Sequence, residues 1–324
     1  MTKDLRSLQL TGIVYWSKFI TTMKIFVGLD CGGTKTVALA SDKSGKIIGR
    51  GLSGAANPLS VGPNRTVENI ISAINNAVFD IKKPDFGGIY IGMAGGKPAM
   101  LKEIQKRLKL STYLKSADSI VVDHDLRIAL YSGLPKGDGI VVIAGTGSAA
   151  WGLDPDGNEV LVSGWNHLLG ETGGYELGIQ AIIAATRAYD GRGPQTELLE
   201  HIIEAYQLDS FEDVSLVIRN STDSPRIASL APYVIDAAKN GDTVAFKILH
   251  EMIDEVDLSI KTAAKRCKIN GLLKVVMVGG MFTMDFPMVE ELTKRVHKWK
   301  KDVEFVSPRE EPVRAALRFA QHKP

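Results

Sequence analysis

Cysteine is scarce in this sequence, which has only Cys31 and Cys267 among 324 residues. Two cysteines are too few for a disulfide framework and fit a reducing compartment, so we expect a cytoplasmic protein. Within one chain they also cannot supply the ligands of a structural zinc site or an iron–sulfur cluster. No run of about 18 apolar residues occurs, and the sequence therefore predicts no membrane-spanning helix and no membrane partner.

An excess of charge of either sign is also lacking. The 39 Lys and Arg residues and the 37 Asp and Glu residues leave a formal net charge of +2, and the basic residues are spread along the chain. This distribution lacks the basic patch of nucleic-acid-binding proteins, so we expect a small-molecule partner and no nucleic acid. The length favours two domains, because single hydrophobic cores rarely grow beyond about 250 to 300 residues.

Residues 1–22 stand apart from the rest of the chain. Lys3, Arg6 and a short apolar stretch over residues 13–16 give them a weak likeness to a signal peptide, but no small-residue cleavage site follows. The apolar run after Met23 predicts the first strand. We therefore expect residues 1–22 to be an N-terminal extension that activity does not need.

The sequence contains two copies of one unit. In each copy an apolar strand leads into a glycine-rich loop, a second strand, a turn of the form Asp-x-x-Gly and a third strand. The loops cover residues 30–34 and 145–148, and the turns cover residues 42–45 and 154–157. Loop and turn recur at one offset of 112 residues, which predicts the internal duplication of a β-hairpin.

Helical and strand patterns alternate after each hairpin. Apolar residues at helical spacing predict a helix over residues 64–81, and helices are also predicted over residues 98–110 and from Asp125. In the second half a helical insertion covers about residues 175–266 before further strand and helix pairs. This alternation predicts an α/β fold of mixed sheets with helices on both faces.

The two glycine-rich loops are candidate phosphate sites. Backbone N–H groups can approach phosphate oxygens closely only where side chains do not obstruct them, which is why glycine concentrates in such loops. Gly32 and Gly33 fit this pattern, as do Gly145 and Gly147, and neighbouring hydroxyls add donors. Either loop alone is equally consistent with a tight hairpin turn; their recurrence after a buried strand favours phosphate binding.

Three aspartates follow predicted strands. Asp30 ends an apolar strand beside the first loop, where a carboxylate could hold Mg²⁺ through water. Asp123 and Asp125 follow the apolar residues 120–122. Asp125 is also a candidate helix N-cap, and Asp123 competes with it for a catalytic role, so the residues alone leave this choice open.

Five segments resemble, in order, the motifs of the N-acetylglucosamine kinase group, which includes archaeal hexokinases and BadF/BadG-type ATPases within the sugar kinase and actin-like ATPase superfamily. They are two phosphate motifs (28–36 and 144–148), an adenosine motif (276–280) and two interdomain hinge motifs (91–95 and 311–316). The resemblance implies a two-lobed ribonuclease H-like, or actin-like ATPase, fold with mixed five-stranded sheets. The implied units are lobes over residues 23–134 and 135–308, with residues 309–324 returning to the first lobe as a helix.

The resemblance also implies ATP and Mg²⁺ as cofactors and Asp125 as the catalytic base, and we expect Asp30, from its place beside the first loop, to hold Mg²⁺ through water. The residues implied to bind ATP are Gly32, Gly33, Thr34, Lys35, Thr146, Gly147, Ser148, Gly279 and Gly280. The residues implied to bind the sugar are Asn57, Thr146, Gly164, Trp165 and Glu171.

The sequence departs from the group in the implied sugar pocket. Gly170-Glu-Thr-Gly-Gly174 stands where the group has Gly-Asp-Glu-Gly, and Ala149 stands where N-acetylglucosamine kinases tend to have Asn. A carboxylate moved by one methylene can change which hydroxyl it binds. We expect ATP-dependent phosphorylation of a hexose or (N-acetyl)hexosamine, at the 6-hydroxyl, by a homodimer. The alternative is a BadF/BadG-type activator ATPase of a partner enzyme, whose bridging iron–sulfur cluster these two cysteines do not provide for.

Overall fold

The structure is a computed structural model that describes residues 23–166, 169, 172–219 and 224–322. The predicted extension over residues 1–22 and the predicted sugar ligand Glu171 lie outside the described residues. Among the described residues, no helix has the length and apolar character needed to cross a membrane.

The first sheet has five strands in the order β3-β2-β1-β4-β5. Its antiparallel hairpin strands are followed by two parallel ones, so the sheet is mixed. The strands are β1 (Lys24–Cys31), β2 (Lys35–Ser41), β3 (Ile47–Gly54), β4 (Asp85–Met93) and β5 (Ile120–His124). The helices among them are α1 (Pro58–Ala77), α2 (Pro98–Leu110) and α3 (Asp125–Gly133).

The second sheet repeats this arrangement in the order β10-β9-β6-β7-β8. Its strands are β6 (Gly139–Ala144), β7 (Ser148–Leu153), β8 (Glu159–Ser163), β9 (Leu273–Val278) and β10 (Val303–Val306). Between β8 and β9 lie α4 (Gly174–Tyr189), α5 (Leu198–Tyr206), α6 (Val214–Ile218), α7 (Ser224–Ala228), α8 (Ala231–Lys239) and α9 (Thr243–Arg266). The remaining helices are α10 (Met288–Val296) and α11 (Pro312–Gln321). In both sheets an antiparallel hairpin comes first along the chain and the parallel strands follow. The predicted duplication, the mixed five-stranded sheets and the helical insertion are therefore confirmed.

The predicted hairpin turns have matching geometry. Gly45 donates its N–H to the carbonyl of Asp42 at 3.1 Å, and Gly157 donates to Asp154 at 3.0 Å. Both glycines have positive φ, 87° and 84°. The loops ahead of these turns are less alike, because the first has four residues between the paired strand ends and the second has three.

Two helices connect the sheets through their packing. α11 lies on the first sheet so closely that a Cβ on Gly28 would stand 2.2 Å from the backbone nitrogen of Leu317. α3 begins at the end of β5 but packs on the second sheet, where Leu130 shares a buried cluster with Trp151 and Val276. α11 and α3 also contact each other. The junction between the two sheets is therefore built from these two helices.

Helix α1 starts earlier and ends earlier than predicted. It begins at Pro58 rather than at residue 64, capped by Asn57, whose side chain accepts the N–H of Leu59 at 3.0 Å. Gly62, with φ of 75°, breaks the helix before Pro63, which separates a short first turn from the long amphipathic part. The periodicity of the later part alone was visible in the sequence.

Candidate active site

The ends of three strands bring the first glycine-rich loop and the candidate aspartates to one edge of the first sheet. In the register of β1, β4 and β5, Asp30 pairs with Gly92, and Gly92 pairs with Asp123. Since the carboxyl ends of parallel strands meet at the same edge, the loop after β1 lies beside Asp125, which follows β5. This edge of the first sheet is one side of the candidate active site.

Hydrogen bonding separates Asp125 from the competing Asp123. Asp123 accepts the hydroxyl of Tyr90 at 2.8 Å and Nε–H of Arg127 at 2.6 Å. Burial alone would raise the pKa of Asp123, but the neighbouring His124 and Arg127 hold it below the usual value. Asp123 therefore has a structural partner set that ties β4, β5 and α3 together.

The N-cap of α3 is His124, not Asp125. Nδ1 of His124 accepts the backbone N–H of Arg127 at 3.2 Å. Asp125 is the first helical residue, and among the described residues the hydrogen bonds assigned to its carboxylate come from its own N–H and that of Leu126. The capping role open to Asp125 in the sequence is thus filled by its neighbour.

Asp30 and Asp125 influence each other electrostatically. Burial and, to a lesser extent, the negative charge of Asp125 raise the pKa of Asp30 to about 6, while Lys35 opposes the shift. Burial also raises the pKa of Asp125, against the effects of His124 and backbone N–H groups. Two half-buried carboxylates that repel each other are oxygen donors whose charge a divalent cation would neutralise, so these residues fit Mg²⁺.

We expect Asp30→Asn to stabilise the metal-free protein at neutral pH. The pKa of Asp30 in the folded state, about 6, lies above its ordinary 3.8, so folding binds a proton and the Asp30 contribution to stability falls as pH rises from about 4 to 6. The substitution should raise the free energy of unfolding at pH 7.5 by up to about 2–3 kcal/mol. Urea unfolding in a chelator at several pH values measures this.

The gain should shrink below pH 6 and vanish near pH 4. The exposed Asp80→Asn is the matched control, with an expected change below about 0.5 kcal/mol at either pH. Equal stability of Asp30→Asn and the unmodified chain at pH 7.5 would show that Asp30 carries no unfavourable buried charge.

The second glycine-rich loop is held from behind. Gly145 donates its N–H to Gly147 at 2.9 Å, and the loop carbonyls of Gly145 and Thr146 accept from Gly174 and Tyr175 at the start of α4. A Cβ on Gly145 or Gly147 would meet no described atom within 4 Å, as is also true of Gly33 in the first loop. These glycines therefore leave space beside the backbone of both loops where a ligand could approach.

Gly279 packs against the strand that carries this loop. It has φ of 119°, and a Cβ there would lie 2.2 Å from the carbonyl oxygen of Ala144, the last residue of β6. Ser148, at the start of β7, accepts the hydroxyl of Thr172 at 2.5 Å. The predicted adenosine motif and the predicted second phosphate motif are thus brought together at one edge of the second sheet.

The predicted sugar residues border these loops. Asn57 contacts the segment at Gly95, where a Cβ would stand 2.4 Å from its Oδ1, and the adjacent Ala56 donates its N–H to Gly32 at 3.2 Å. On the other sheet, Gly164 lies against Ala149 just after the second loop, and Trp165 is 69% exposed.

Contacts at the start of α3 link the first sheet to the hairpin of β7 and β8 in the second sheet. The ring of His124 packs against Trp151 of β7 with centroids 4.8 Å apart. Nε2 of His124 also lies 2.9 Å from Glu159 of β8, which pairs with Arg127 as well. Trp151 is three residues along β7 from Ser148, roughly 10 Å of strand. Sequence reasoning missed Trp151, Glu159 and Arg127, and no local motif marks them.

The chain matches a known protein family. The family model of the BadF/BadG/BcrA/BcrD ATPases matches residues 27–317. The chain belongs to this ATPase family. The predicted family resemblance is confirmed.

Relatives of this ATPase family member match along most of its length. It is 30% identical over 308 residues to an N-acetylmuramic acid/N-acetylglucosamine kinase of Clostridium acetobutylicum, covering 92% of this chain and 99% of the relative. It is 28% identical over 312 residues to an N-acetyl-D-glucosamine kinase of Dictyostelium discoideum, covering 92% and 98%. The crystal structure of a candidate N-acetylglucosamine kinase from Chromobacterium violaceum matches with a TM-score of 0.74 at 20% identity, covering 92% and 99%. The predicted fold class is confirmed.

Both cysteines of this BadF/BadG/BcrA/BcrD family member are buried, in different places. Cys31 ends β1 under the first loop, and Cys267 follows α9 near Gly152. Burial raises the pKa of both thiols, that of Cys267 to about 11. In the part of the chain that the structure describes, no group of three or more His, Cys, Asp or Glu could hold a metal ion.

Proposed function

We propose that this chain transfers the γ-phosphoryl group of ATP to the 6-hydroxyl of a hexose, hexosamine or N-acetylhexosamine. Membership of an ATPase family supports the use of ATP, and relatives named as N-acetylglucosamine kinases support a sugar acceptor. The observation that carries the proposal is the half-buried carboxylate of Asp125, which keeps no side-chain hydrogen bond among the described residues and whose charge acts on Asp30 at the end of β1.

Asp125 accepts the proton of the attacking hydroxyl in this proposal. Burial raises its pKa, which makes the carboxylate a better base. Asp125 is fixed at its backbone because it is the first residue of α3. His124 caps the helix, so the carboxylate of Asp125 is not needed for capping. The residue is thus positioned by the helix while its carboxylate is left for the substrate.

The glycine-rich loops bind the phosphates and stabilise charge as the phosphoryl group moves. The N–H groups of Gly32, Gly33, Thr34 and Lys35 act from one side, and those of Thr146, Gly147 and Ser148 act from the other. Gly279 and Gly280 lie against the adenosine. Mg²⁺ supplies charge neutralisation on the phosphates when it is bound, and Asp30 would hold it through water.

Residues from both sheets bind the sugar. Asn57 lies by the first loop, and Thr146, Gly164 and Trp165 lie by the second, while Glu171 belongs to the segment before α4. We expect the lobes over residues 23–134 and 135–308 to close about the junction of α3 and α11, and α11 lies within residues 309–324. Closure would exclude water, which competes with the sugar for the phosphoryl group. We further expect a cytoplasmic homodimer.

An activator ATPase is the second candidate, because the family contains BadF/BadG-type ATPases. Such a protein hydrolyses ATP for a partner enzyme rather than phosphorylating a sugar. The burial of Cys31 and Cys267 in separate places opposes a cluster shared between two copies of this chain. A purified protein with absorbance near 400 nm would favour the activator.

A coupled assay of ADP release tests the proposal. Glucose, mannose, glucosamine and their N-acetyl forms are each added with Mg²⁺ and ATP, and a reaction without sugar is the control. We expect release to rise at least about tenfold with one or more amino sugars, as expected when a closed site excludes water. Release that no sugar changes would contradict the kinase proposal and favour the activator.

A further inference from the structure

Glu159 joins the two sheets at the start of α3. It is the first residue of β8, at the edge of the second sheet, yet both of its carboxylate oxygens bond residues of the first lobe. One accepts Nε2 of His124 at 2.9 Å, and the other pairs with the guanidinium of Arg127. Because Nδ1 of His124 accepts the N–H of Arg127, the ring hydrogen is on Nε2, which donates a hydrogen bond to Glu159.

These partners flank Asp125 in sequence. His124 precedes it, and Arg127 is two residues further on, where Arg127 also bonds Asp123 at 2.6 Å. Trp151 packs against the His124 ring, and the Arg127 guanidinium lies 5.4 Å from the Trp151 ring centroid. His124 and Arg127 are therefore held from the second sheet, whereas the Asp125 carboxylate accepts only backbone N–H groups among the described residues.

The hairpin that carries Glu159 also carries the second loop and leads to the sugar segment. β7 begins at Ser148, and β8 ends at Ser163, directly before Gly164. The side chain of Glu159 is 38% exposed, whereas those of its partners His124 and Arg127 are 19% and 23% exposed. Glu159 pairs with Leu153 at the end of this hairpin away from the second loop, so its contact with the first turn of α3 reaches the loop along the length of β7.

We propose that Glu159 is a positioning residue that sets where Asp125 stands relative to the second phosphate loop. This inference rests on the proposed function. A base displaced by about 1 Å can lose roughly a hundredfold in rate, because proton transfer needs the acceptor within hydrogen-bond reach of the hydroxyl. Binding of ATP and sugar does not depend on that distance in the same way.

The test compares Glu159→Gln with Glu304→Gln. Glu304 is exposed on β10, the opposite edge of the same sheet, so its substitution is a matched control. We expect Glu159→Gln to lower kcat about 10- to 100-fold while the KM values for ATP and sugar change less than about threefold. His124→Asn, which keeps a capping oxygen but loses the donor to Glu159, should lower kcat less, since Arg127 still pairs with Glu159.

Hydrogen exchange at residues 125–129 gives a readout that does not need turnover. We expect faster exchange there in Glu159→Gln than in Glu304→Gln, with melting temperatures that differ by less than about 4 °C. A kcat for Glu159→Gln equal to that of Glu304→Gln, or a loss that follows the folded fraction, would overturn the inference. If the unmodified chain shows no sugar-dependent ADP release, the proposed function fails, and unchanged exchange in Glu159→Gln would separately overturn the contact.

Discussion

Asp125→Asn is expected to lower kcat for sugar phosphorylation by about 10² to 10⁴ while ATP binding is retained. The range is that of a lost general base, since asparagine keeps the shape but cannot accept the proton. The fold should tolerate the change, because His124 rather than Asp125 caps α3. Steady-state kinetics and ATP titration of the same preparation measure both quantities.

Binding of Mg²⁺ and ATP should be retained or slightly tighter in Asp125→Asn. The negative charge of Asp125 raises the pKa of Asp30, so its removal favours the ionised form of the residue proposed to hold Mg²⁺. Asp80→Asn, on the exposed surface, is the control and should leave kcat within about twofold. Turnover of Asp125→Asn within tenfold of the unmodified chain would remove Asp125 from the role of base.

Gly279→Ala is expected to weaken ATP binding by about 10- to 100-fold. An alanine Cβ would stand 2.2 Å from the carbonyl oxygen of Ala144, which directly precedes the second loop, and the φ of 119° strains any residue with a side chain. Relief requires the end of β6 to move, at a cost of about 1–3 kcal/mol or more. Calorimetric titration with ATP measures the loss.

Gly271→Ala is the control for this prediction. Gly271 lies in the turn before β9, and a Cβ there would meet no described atom within 4 Å. Its ATP affinity should equal that of the unmodified chain. If Gly279→Ala bound ATP equally well, the second loop would not depend on the packing of the adenosine motif against β6.

Local features of this fold were predictable because their causes are local. The turns that begin at Asp42 and Asp154 form because Asp caps its own backbone and Gly accepts a positive φ. Helix α2 matches its predicted bounds of 98–110 because Pro98 starts it and its apolar spacing is regular. The repeat of the hairpin then made the mixed sheets predictable. Short-range chemistry and duplication together account for most of the architecture.

Contacts between distant residues were not predictable in the same way. The sequence left Asp123 and Asp125 as competitors, and only the bonds of Asp123 to Tyr90 and Arg127 separate them. Glu159 follows a turn and resembles any exposed strand residue until the second sheet is seen beside α3. Nothing in the spacing of residues along the chain encodes which side chains of the two sheets and their helices will meet.

Phosphorus NMR of the reaction products tests the central claim most directly. The purified chain is mixed with Mg²⁺, ATP and each amino sugar, and the products of ATP consumption are identified. A sugar phosphomonoester formed in step with ADP is the result that this account predicts. The account would be contradicted if ATP consumption gave only ADP and inorganic phosphate with every sugar tried.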